Sequence, residues 1–226
     1  MFDQLVKREN EIFDIIEKLS KKNLDFIVVG GYAVSAFKHR FSMDADLVIS
    51  SNDLAKFEIA LKENGFKKII SKQLENIYKS KFVRYQKGKE FSVSINLMVD
   101  GIAARQIDAS FSFQLLAENS EKQKIVGTER EVAVKIPKKE ILIALKLHSG
   151  RLTDFRDVVA LSKNINVDGI KKLLLRGNKE VVRENLKKFC SAVETENFIN
   201  SFKGVFMEKV FDIDMEEVKK ICNIKI

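Results

Sequence analysis

Two aspartates separated by one residue, Asp44 and Asp46, are the side chains of this sequence best spaced for metal-dependent chemistry. They begin a short apolar run, Asp44–Ser50, that is typical of a β-strand. Because side chains alternate along a strand, both carboxylates project from one face, roughly 6–7 Å apart. Like charges at this separation repel each other unless a cation lies between them. Hard oxygen ligands suit Mg²⁺, so the pair predicts a site for Mg²⁺ or Mn²⁺.

A second motif precedes this strand and is suited to binding phosphate. The run Asp25–Gly30 predicts a short buried strand, and a helix is predicted over Tyr32–His39, directly after Gly30 and Gly31. Glycine lets a ligand approach the main chain closely, and the first turn of a helix offers unpaired N–H groups with a partial positive charge. The strand, the glycines and the helix therefore predict a phosphate cradle.

A phosphate cradle beside a carboxylate pair provides the ingredients of metal-assisted phosphoryl or nucleotidyl transfer. Either motif alone is weak, because paired glycines are common in tight turns and D-x-D is common at solvated strand ends. Their occurrence in the order strand–GG–helix–R-x-S-x-D-x-D–strand is much more specific. Nucleotidyl transfer is therefore the hypothesis, and a purely structural role of the motif is the alternative.

These residues resemble the first signature of the DNA polymerase β-like nucleotidyltransferases. That signature joins a GG-aromatic-Ala turn to an Arg-x-Thr-x-Asp-x-Asp strand, and the matching segments are Gly30-Gly31-Tyr32-Ala33 and Arg40-Phe41-Ser42-Met43-Asp44-Ala45-Asp46. The branch that the sequence looks most like contains the AbiEii-type toxins. A second block, EILIALKLHSGRLTDFRDVVAL, resembles the family's helix with a lysine followed by Arg-x-x-Asp-x-x-Asp, which places Lys146, Arg151, Asp154 and Asp157 on the motif.

The resemblance implies a role for each matched residue. Asp44 and Asp46 would hold the Mg²⁺ that binds a nucleoside triphosphate, and Lys146 would neutralise phosphate charge. The nucleotide-binding residues would be Gly30, Gly31, Arg40, Ser42, Lys146, Arg151 and Asp157. The catalytic residues would be Asp44, Asp46, Asn96, Lys146 and Asp154. The acidic residues of the second block would orient Lys146 or Arg151, or cap the helix that they begin.

One position departs from the family. A third carboxylate on a neighbouring strand normally helps to hold the metal and takes a proton from the attacking hydroxyl, but the matching residue here is Asn96, a neutral amide. Asp100 shares the strand parity of Asn96 and could substitute only if a bulge or turn brought it back. Either the enzyme works with a substituted third position, or it is a nucleotide-binding pseudoenzyme or regulatory partner.

The hydrophobic periodicity predicts the elements that position these residues. Helices are predicted over residues 2–20 and Asn52–Glu63. The pattern between Phe66 and Pro137 is β-like, and strands are predicted there over Lys67–Ser71, Ser80–Gln86, Phe91–Val99 and Glu131–Ile136. After Pro137 the period is helical, which predicts six further helices. We therefore expect an α/β (α+β) fold in which a mixed sheet of the nucleotidyltransferase type, over 1–137, is followed by a helical domain over 138–226.

Composition excludes several classes of protein. The chain of 226 residues has a net charge of +8 and 45% hydrophobic residues, which excludes intrinsic disorder. It has neither an apolar stretch long enough to span a membrane nor an N-terminal signal segment, so we expect a cytoplasmic protein. Two histidines exclude a multi-histidine metal site. The two cysteines exclude a disulfide framework, and Cys190 and Cys222 are interpreted as small core residues without a partner motif.

The remaining features leave the acceptor open. The proposed reaction transfers a nucleoside monophosphate from an NTP to an acceptor hydroxyl of RNA or tRNA, a protein or a small molecule. The toxin resemblance implies a possible antitoxin partner. A lysine- and arginine-rich stretch over 151–188 is either a polyanion-binding surface or a solvated helical face. His39 could contact phosphate or end a helix, His148 could line the cleft or be structural, and the Phe198, Phe202 and Phe206 stripe predicts core packing.

Overall fold

The structure, a computed structural model, describes residues 2–73, 81–88, 92–104 and 109–226. The chain divides into two compact units. The first unit comprises Met1–Ile102 and Phe111–Pro137, and the second comprises Ala103–Ser110 and Lys138–Ile226. The predicted strand ends at Ser80 and Phe91 lie outside the described residues.

The described strands form one mixed sheet and one small sheet. Their bounds are β1 Phe26–Val29, β2 Asp44–Ile49, β3 Lys67–Gln73, β4 Lys81–Lys87, β5 Val93–Val99, β6 Gly101–Ala104, β7 Ala109–Ser112, β8 Ser120–Val126 and β9 Glu131–Pro137. Within the described residues, seven strands make the main sheet in the order β3-β4-β5-β2-β1-β9-β8, and β6 and β7 make a two-stranded sheet. β2 pairs in parallel with β5, and β1 in parallel with β9, whereas the other pairs of the main sheet are antiparallel.

Helices precede, separate and follow these strands. Their bounds are α1 Phe2–Lys21, α2 Gly30–Val34, α3 Leu54–Glu63, α4 Phe113–Glu118, α5 Lys139–Ser149, α6 Leu152–Leu161, α7 Val167–Leu174, α8 Lys179–Val193, α9 Glu196–Phe206 and α10 Met215–Cys222. A short 3-10 turn, Ser51–Asp53, precedes α3. Among the helices in the described ranges, none combines the length and apolar character needed to cross a bilayer.

The predicted fold class is confirmed, but α2 has other bounds than predicted, and β6, β7, α4 and β8 were not predicted. The helix after the glycines was predicted over Tyr32–His39, but α2 begins at Gly30 itself and ends at Val34. The strand β8 was not predicted, because its sequence, SEKQKIV, lacks apolar alternation and only Ile125 is buried. As an edge strand of the sheet it needs little apolar surface, and its charges suit an exposed edge.

Apolar residues at helical and strand spacing build the core of the first unit. In α1 the apolar residues Ile12, Phe13, Ile16 and Leu19 are fully buried. In β5 the side chains Val93, Ile95, Leu97 and Val99 are at most 3% exposed, as their alternation predicts. This core holds β2 and β5 rigidly side by side, which matters because both strands carry the polar residues described below.

The helices of the second unit pack around α5, which contacts α6, α7 and α8. The Phe155 and Phe189 rings meet edge to face, with centroids 5.4 Å apart. Phe198, Phe202 and Phe206 are buried along one face of α9, so their predicted core role is confirmed. Its contacts with three neighbouring helices make α5 the central element of the unit, and α5 carries Lys146.

The cysteines differ from their predicted state. Cys190 on α8 and Cys222 at the end of α10 form a disulfide bond, with their Cα atoms 5.6 Å apart. They were interpreted as unpaired core residues, because a pair 32 residues apart matches no local motif. Only the packing of α10 against α8 brings the two thiols together.

We expect the disulfide to stabilise the second unit. Closing a loop of 32 residues lowers the entropy of the unfolded chain by the equivalent of roughly 3–4 kcal/mol at 25 °C. Reduction, or the Cys222→Ser substitution, should therefore lower the melting temperature measured by calorimetry. Adding reductant to Cys222→Ser is the control and should change nothing further, and a reductant effect on that variant would contradict this source of stability.

Candidate active site

The strand register brings the predicted site residues of the first unit together. β2 and β5 pair in parallel with Asp44 opposite Ser94 and Asp46 opposite Asn96. β1 pairs antiparallel with β2 and places Val29, the residue before the two glycines, opposite Asp46. Neighbouring strands lie about 4.8 Å apart, so the side chains of one row on one face are in contact distance. The carboxylate pair, Asn96 and the glycine turn therefore form one local cluster.

Asn96 joins the two carboxylates directly. Its amide nitrogen donates hydrogen bonds to Asp44 Oδ2 at 2.9 Å and to Asp46 Oδ1 at 2.8 Å. Asn96 is only 3% exposed, whereas the side chains of Asp44 and Asp46 are part-exposed. The shared donor offsets part of the repulsion between the aspartates. Asn96 thus stands at the position that the resemblance assigns to a third carboxylate.

Sequence reasoning missed Arg84, which completes this cluster. Arg84 lies on β4 directly opposite Asn96. Its Nε donates to Asn96 Oδ1 at 2.7 Å, and its Nη2 lies 3.2 Å from Asp44 Oδ2. The signal in the sequence was an arginine at the centre of a predicted strand, between Val83 and Tyr85, which are both buried. The pairing of β4 with β5 was needed to give that arginine a partner.

Neighbouring side chains leave no space for a Cβ at Gly30 or Gly31. Gly30 has a φ of +67°, and a Cβ there would lie 2.2 Å from Asp46 Oδ2. A Cβ on Gly31 would lie 2.7 Å from Ser42 Oγ and 3.2 Å from the Arg40 guanidinium. Both positions therefore exclude a side chain. The predicted nucleotide-binding residues Gly31, Arg40 and Ser42 are in this way brought together beside Asp46.

Buried polar groups hold the segment between α2 and β2. Tyr32 donates to the Ser42 carbonyl at 3.1 Å, and burial raises the pKa of the Tyr32 hydroxyl, which keeps that proton in place. Ser35 Oγ donates to the Arg40 carbonyl at 2.9 Å. His39, weighed as a phosphate contact or a helix end, lies beyond α2 with its Nε2 3.0 Å from Glu9 Oε1. These contacts give the segment that carries Arg40 and Ser42 a defined shape.

Asp100 does not replace the missing carboxylate. It follows β5 with a φ of +64°, and its backbone N–H donates to the Ile49 carbonyl at 2.8 Å. Its side chain accepts the Ser51 backbone N–H at 2.7 Å. Ile49 is the last residue of β2 and Asp44 is the first. Asp100 is therefore held at the C-terminal end of β2, whereas Asp44 and Asp46 lie at its N-terminal end.

The second unit contains the other predicted residues as a buried ionic cluster. Lys146 Nζ lies 2.9 Å from Asp154 Oδ1 and 2.7 Å from Asp157 Oδ2. Arg151 Nε lies 2.6 Å from Asp154 Oδ2, and Ser149 donates to the same oxygen at 2.6 Å. The helix α6 begins after Arg151, whose side chain makes no capping hydrogen bond. Both acidic residues therefore contact Lys146, one of the two arrangements that the resemblance implied.

The charges of this cluster stabilise one another. Burial alone would lower the pKa of Lys146, but Asp157 and Asp154 outweigh it and raise that pKa above its ordinary value. Burial likewise would raise the pKa of Asp154, but Lys146, Arg151 and Ser149 hold it below its usual range. Lys146 is therefore charged and held between two carboxylates. Its contact with a nucleotide phosphate stays a prediction.

His148 has a structural place. It is 1% exposed, and its Nε2 lies 3.2 Å from the Leu173 carbonyl on α7. Burial lowers the pKa of His148 to about 4, so the ring is neutral at pH 7. Two interpretations of His148 were open, a structural residue or a residue lining the cleft. Its burial and its contact with Leu173 agree with the structural interpretation.

The first-unit cluster contains two carboxylates that could ligate a hard cation. Within the described residues, no group of three or more His, Cys, Asp or Glu side chains is placed to hold a metal ion. Asp44 and Asp46 nevertheless present carboxylate oxygens on one strand face, and their side chains are part-exposed rather than sealed. Carboxylate oxygen is the ligand that Mg²⁺ prefers. We refer to Asp44, Asp46, Asn96 and Arg84 as the carboxylate site.

Comparison with known proteins identifies the fold. No protein-family model and no curated protein matches the sequence. Among solved structures, the crystal structure of ANT(2'')-Ia in complex with adenylyl-2''-tobramycin matches with a TM-score of 0.52 and 12% identity, over 75% of this chain and 95% of that one. The solution structure of the antibiotic-resistance factor ANT(2'')-Ia matches with a TM-score of 0.51 and 13% identity, over 77% and 91%.

A third similar structure is the lincosamide antibiotic adenylyltransferase LnuA bound to lincomycin. Its TM-score is 0.48 at 18% identity, over 70% of this chain and 98% of that one. With the ANT(2'')-Ia structures above a TM-score of 0.5, the chain has the mixed α/β fold of nucleotidyltransferases. The identities are low, so this likeness concerns the fold.

The Gly30→Ala substitution tests the close packing of the turn against Asp46. The methyl group would overlap Asp46 Oδ2 and the backbone would keep a positive φ, so we expect a loss of roughly 1–3 kcal/mol in the free energy of unfolding. The measurement is chemical denaturation. Gly204→Ala is the matched control, because a Cβ there meets nothing within 4 Å, and it should be neutral or stabilising. Equal effects of both substitutions would contradict the packing described.

The stability of the protein should depend on pH through His148. Because its folded pKa is about 4 and its ordinary value is 6.5, its contribution is complete above pH 6.5 and is lost as pH falls towards 4. The loss amounts to up to about 3 kcal/mol. Chemical denaturation between pH 7 and 4 measures it. The His148→Gln variant should show a shallower dependence over this range, and an unchanged slope would contradict a neutral buried His148.

Proposed function

We propose that this protein is a nucleotidyltransferase that uses Mg²⁺ or Mn²⁺. It transfers a nucleoside monophosphate from an NTP to an acceptor hydroxyl and releases pyrophosphate. The observation that carries the proposal is the pair Asp44 and Asp46 on β2, of which Asp46 packs against Gly30, within a nucleotidyltransferase fold. The similar fold of ANT(2'')-Ia, whose crystal structure contains adenylyl-2''-tobramycin, supports nucleotidyl transfer as the general reaction.

The side chains in and beside the carboxylate site would have separate roles. Asp44 and Asp46 would hold the cation, which when bound neutralises phosphate charge and favours attack at phosphorus. Arg40 and Ser42, packed over Gly31, would contact the phosphates of the nucleotide. Asn96 would keep the carboxylates in position by donating to both. An amide cannot accept the proton of an attacking hydroxyl, so Asn96 has no role as a general base.

The acceptor is proposed by chemical class. RNA, including tRNA, a protein and a small molecule each offer hydroxyl groups. An exposed row of basic side chains along α8, Lys179, Arg183 and Lys187 at four-residue spacing, favours a polyanion such as RNA. A toxin activity with an antitoxin protein as partner, implied by the AbiEii-like resemblance, remains a prediction. Each acceptor class can be offered separately in the same assay.

A second candidate function follows from Asn96. Its amide satisfies both carboxylates by hydrogen bonding, which leaves the site without a third negative charge. A nucleotide-binding pseudoenzyme or regulatory partner would bind Mg-NTP without turnover. The Asn96→Asp substitution discriminates between the two functions, because it would switch turnover on in a pseudoenzyme of this kind.

Transfer activity should depend on the aspartate pair. Incubation of the full chain with labelled NTPs, Mg²⁺ and either total RNA or cell extract should produce a labelled acceptor. Asp44→Asn and Asp46→Asn should each lower that signal by at least about a hundredfold, because each removes a metal ligand. The readout is label incorporation on gels, followed by mass spectrometry of the product.

The matched control is Asp25→Asn. This carboxylate precedes β1 and pairs with Lys135 at 2.7 Å on the surface, so its loss should leave incorporation unchanged. Label incorporation that is equal in the wild type and in the Asp44→Asn/Asp46→Asn variant would refute the proposed reaction. Mg-NTP binding by calorimetry without incorporation would favour the pseudoenzyme.

A further inference from the structure

We infer that Arg84 limits the carboxylate site to one divalent cation, because its guanidinium locks Asn96 as a hydrogen-bond donor and supplies a positive charge beside the aspartates. The inference rests on the proposed function, since it concerns the metal stoichiometry of that same site. It assigns to Arg84 the role of a positioning residue.

The position of Arg84 follows from the strand register. Arg84 on β4 lies opposite Asn96 on β5, and Asn96 lies opposite Asp46 on β2. The three side chains therefore form a row across three adjacent strands. The Phe82 ring, two residues away on the same strand, lies 5.8 Å from the guanidinium carbon. This cation–π contact helps to keep the side chain over the sheet.

The donors and acceptors of this row determine the orientation of the Asn96 amide. A guanidinium can only donate hydrogen bonds and a carboxylate can only accept them. Asn96 Oδ1 must therefore face Arg84 Nε, at 2.7 Å, and Nδ2 must face the two aspartates. An amide nitrogen of this kind is not a metal ligand, whereas the amide oxygen is. As long as Arg84 holds the oxygen, Asn96 cannot ligate a cation between the aspartates.

The charge balance leads to the same stoichiometry. Asp44 and Asp46 contribute two negative charges, and Arg84 contributes one positive charge within 3.2 Å of Asp44. One divalent cation would bring the cluster to a net charge of one positive unit, and a second would bring it to three. The second ion would be strongly repelled, because neither Asn96 nor Arg84 offers it an anionic ligand. The positive charge of Arg84 therefore takes the place of the charge that a second cation would bring to the carboxylates.

Arg84 also keeps part of its surface available. Its side chain is 34% exposed, and a guanidinium carries five N–H donors. The charge that excludes a second metal ion can therefore also be offered to a phosphate of the nucleotide. An arginine suits this use because its planar donors match phosphate oxygens.

Binding of Mn²⁺ to the full chain without nucleotide tests this inference independently of turnover. Electron paramagnetic resonance counts free Mn²⁺, and calorimetry gives the affinity. The wild type should bind one Mn²⁺ per chain at the carboxylate site, and Asp44→Asn/Asp46→Asn should abolish that binding. Arg84→Met should bind Mn²⁺ about tenfold more tightly, because a repelling charge is removed. Arg84→Met combined with Asn96→Asp should bind two.

Arg84→Lys is the matched control, since it keeps the charge and loses the Nε donor. Its Mn²⁺ affinity should stay within about threefold of the wild type, which separates the effect of charge from that of side-chain loss. Two Mn²⁺ per wild-type chain, or an unchanged affinity in Arg84→Met, would overturn the inference and leave the proposed function standing. Mn²⁺ binding that ignores Asp44 and Asp46 would overturn the metal-dependent function itself.

Discussion

Repulsion between Asp44 and Asp46 is the physical constraint around which the first unit is organised. Both carboxylates project from the same face of β2, where strand geometry keeps them close. The protein offsets this repulsion with two partners from neighbouring strands, the amide of Asn96 and the guanidinium of Arg84. If the proposed cation binds, the pair is already held in position and does not need to be assembled.

The same constraint extends into the turn after β1. Asp46 fills the space that a Cβ on Gly30 would take, so the turn and the carboxylate exclude any other residue there. Ser42 and Arg40 pack over Gly31 in the same manner. The fully buried Glu9 adds support from α1, because it pairs with His39 and accepts the Thr128 backbone N–H at 2.6 Å. The turn is therefore shaped by side chains distant in sequence.

In the second unit, the main electrostatic constraint is the buried charge of Lys146. A lysine buried on an apolar helix would be costly alone, and Lys146 is compensated by two carboxylates from α6. Asn185 on α8 donates to the last carbonyls of α5, at Leu147 and His148, and fills the space beside Gly150. The helix that carries Lys146 is thus fixed at its end. Removing one partner would leave a buried charge without compensation, so Lys146, Asp154 and Asp157 depend on one another.

The sequence by itself determined the mixed α/β class, most helix bounds and the union of the Gly30–Gly31 turn with Asp44 and Asp46, because local periodicity and spacing encode these features. Only the tertiary structure decided which residues from distant parts of the sequence come into contact. Strand pairing brought Arg84 to Asn96, and helix packing brought Cys190 to Cys222. Such contacts depend on which elements become neighbours, and this follows from the packing of the whole core, which no local pattern of residues contains.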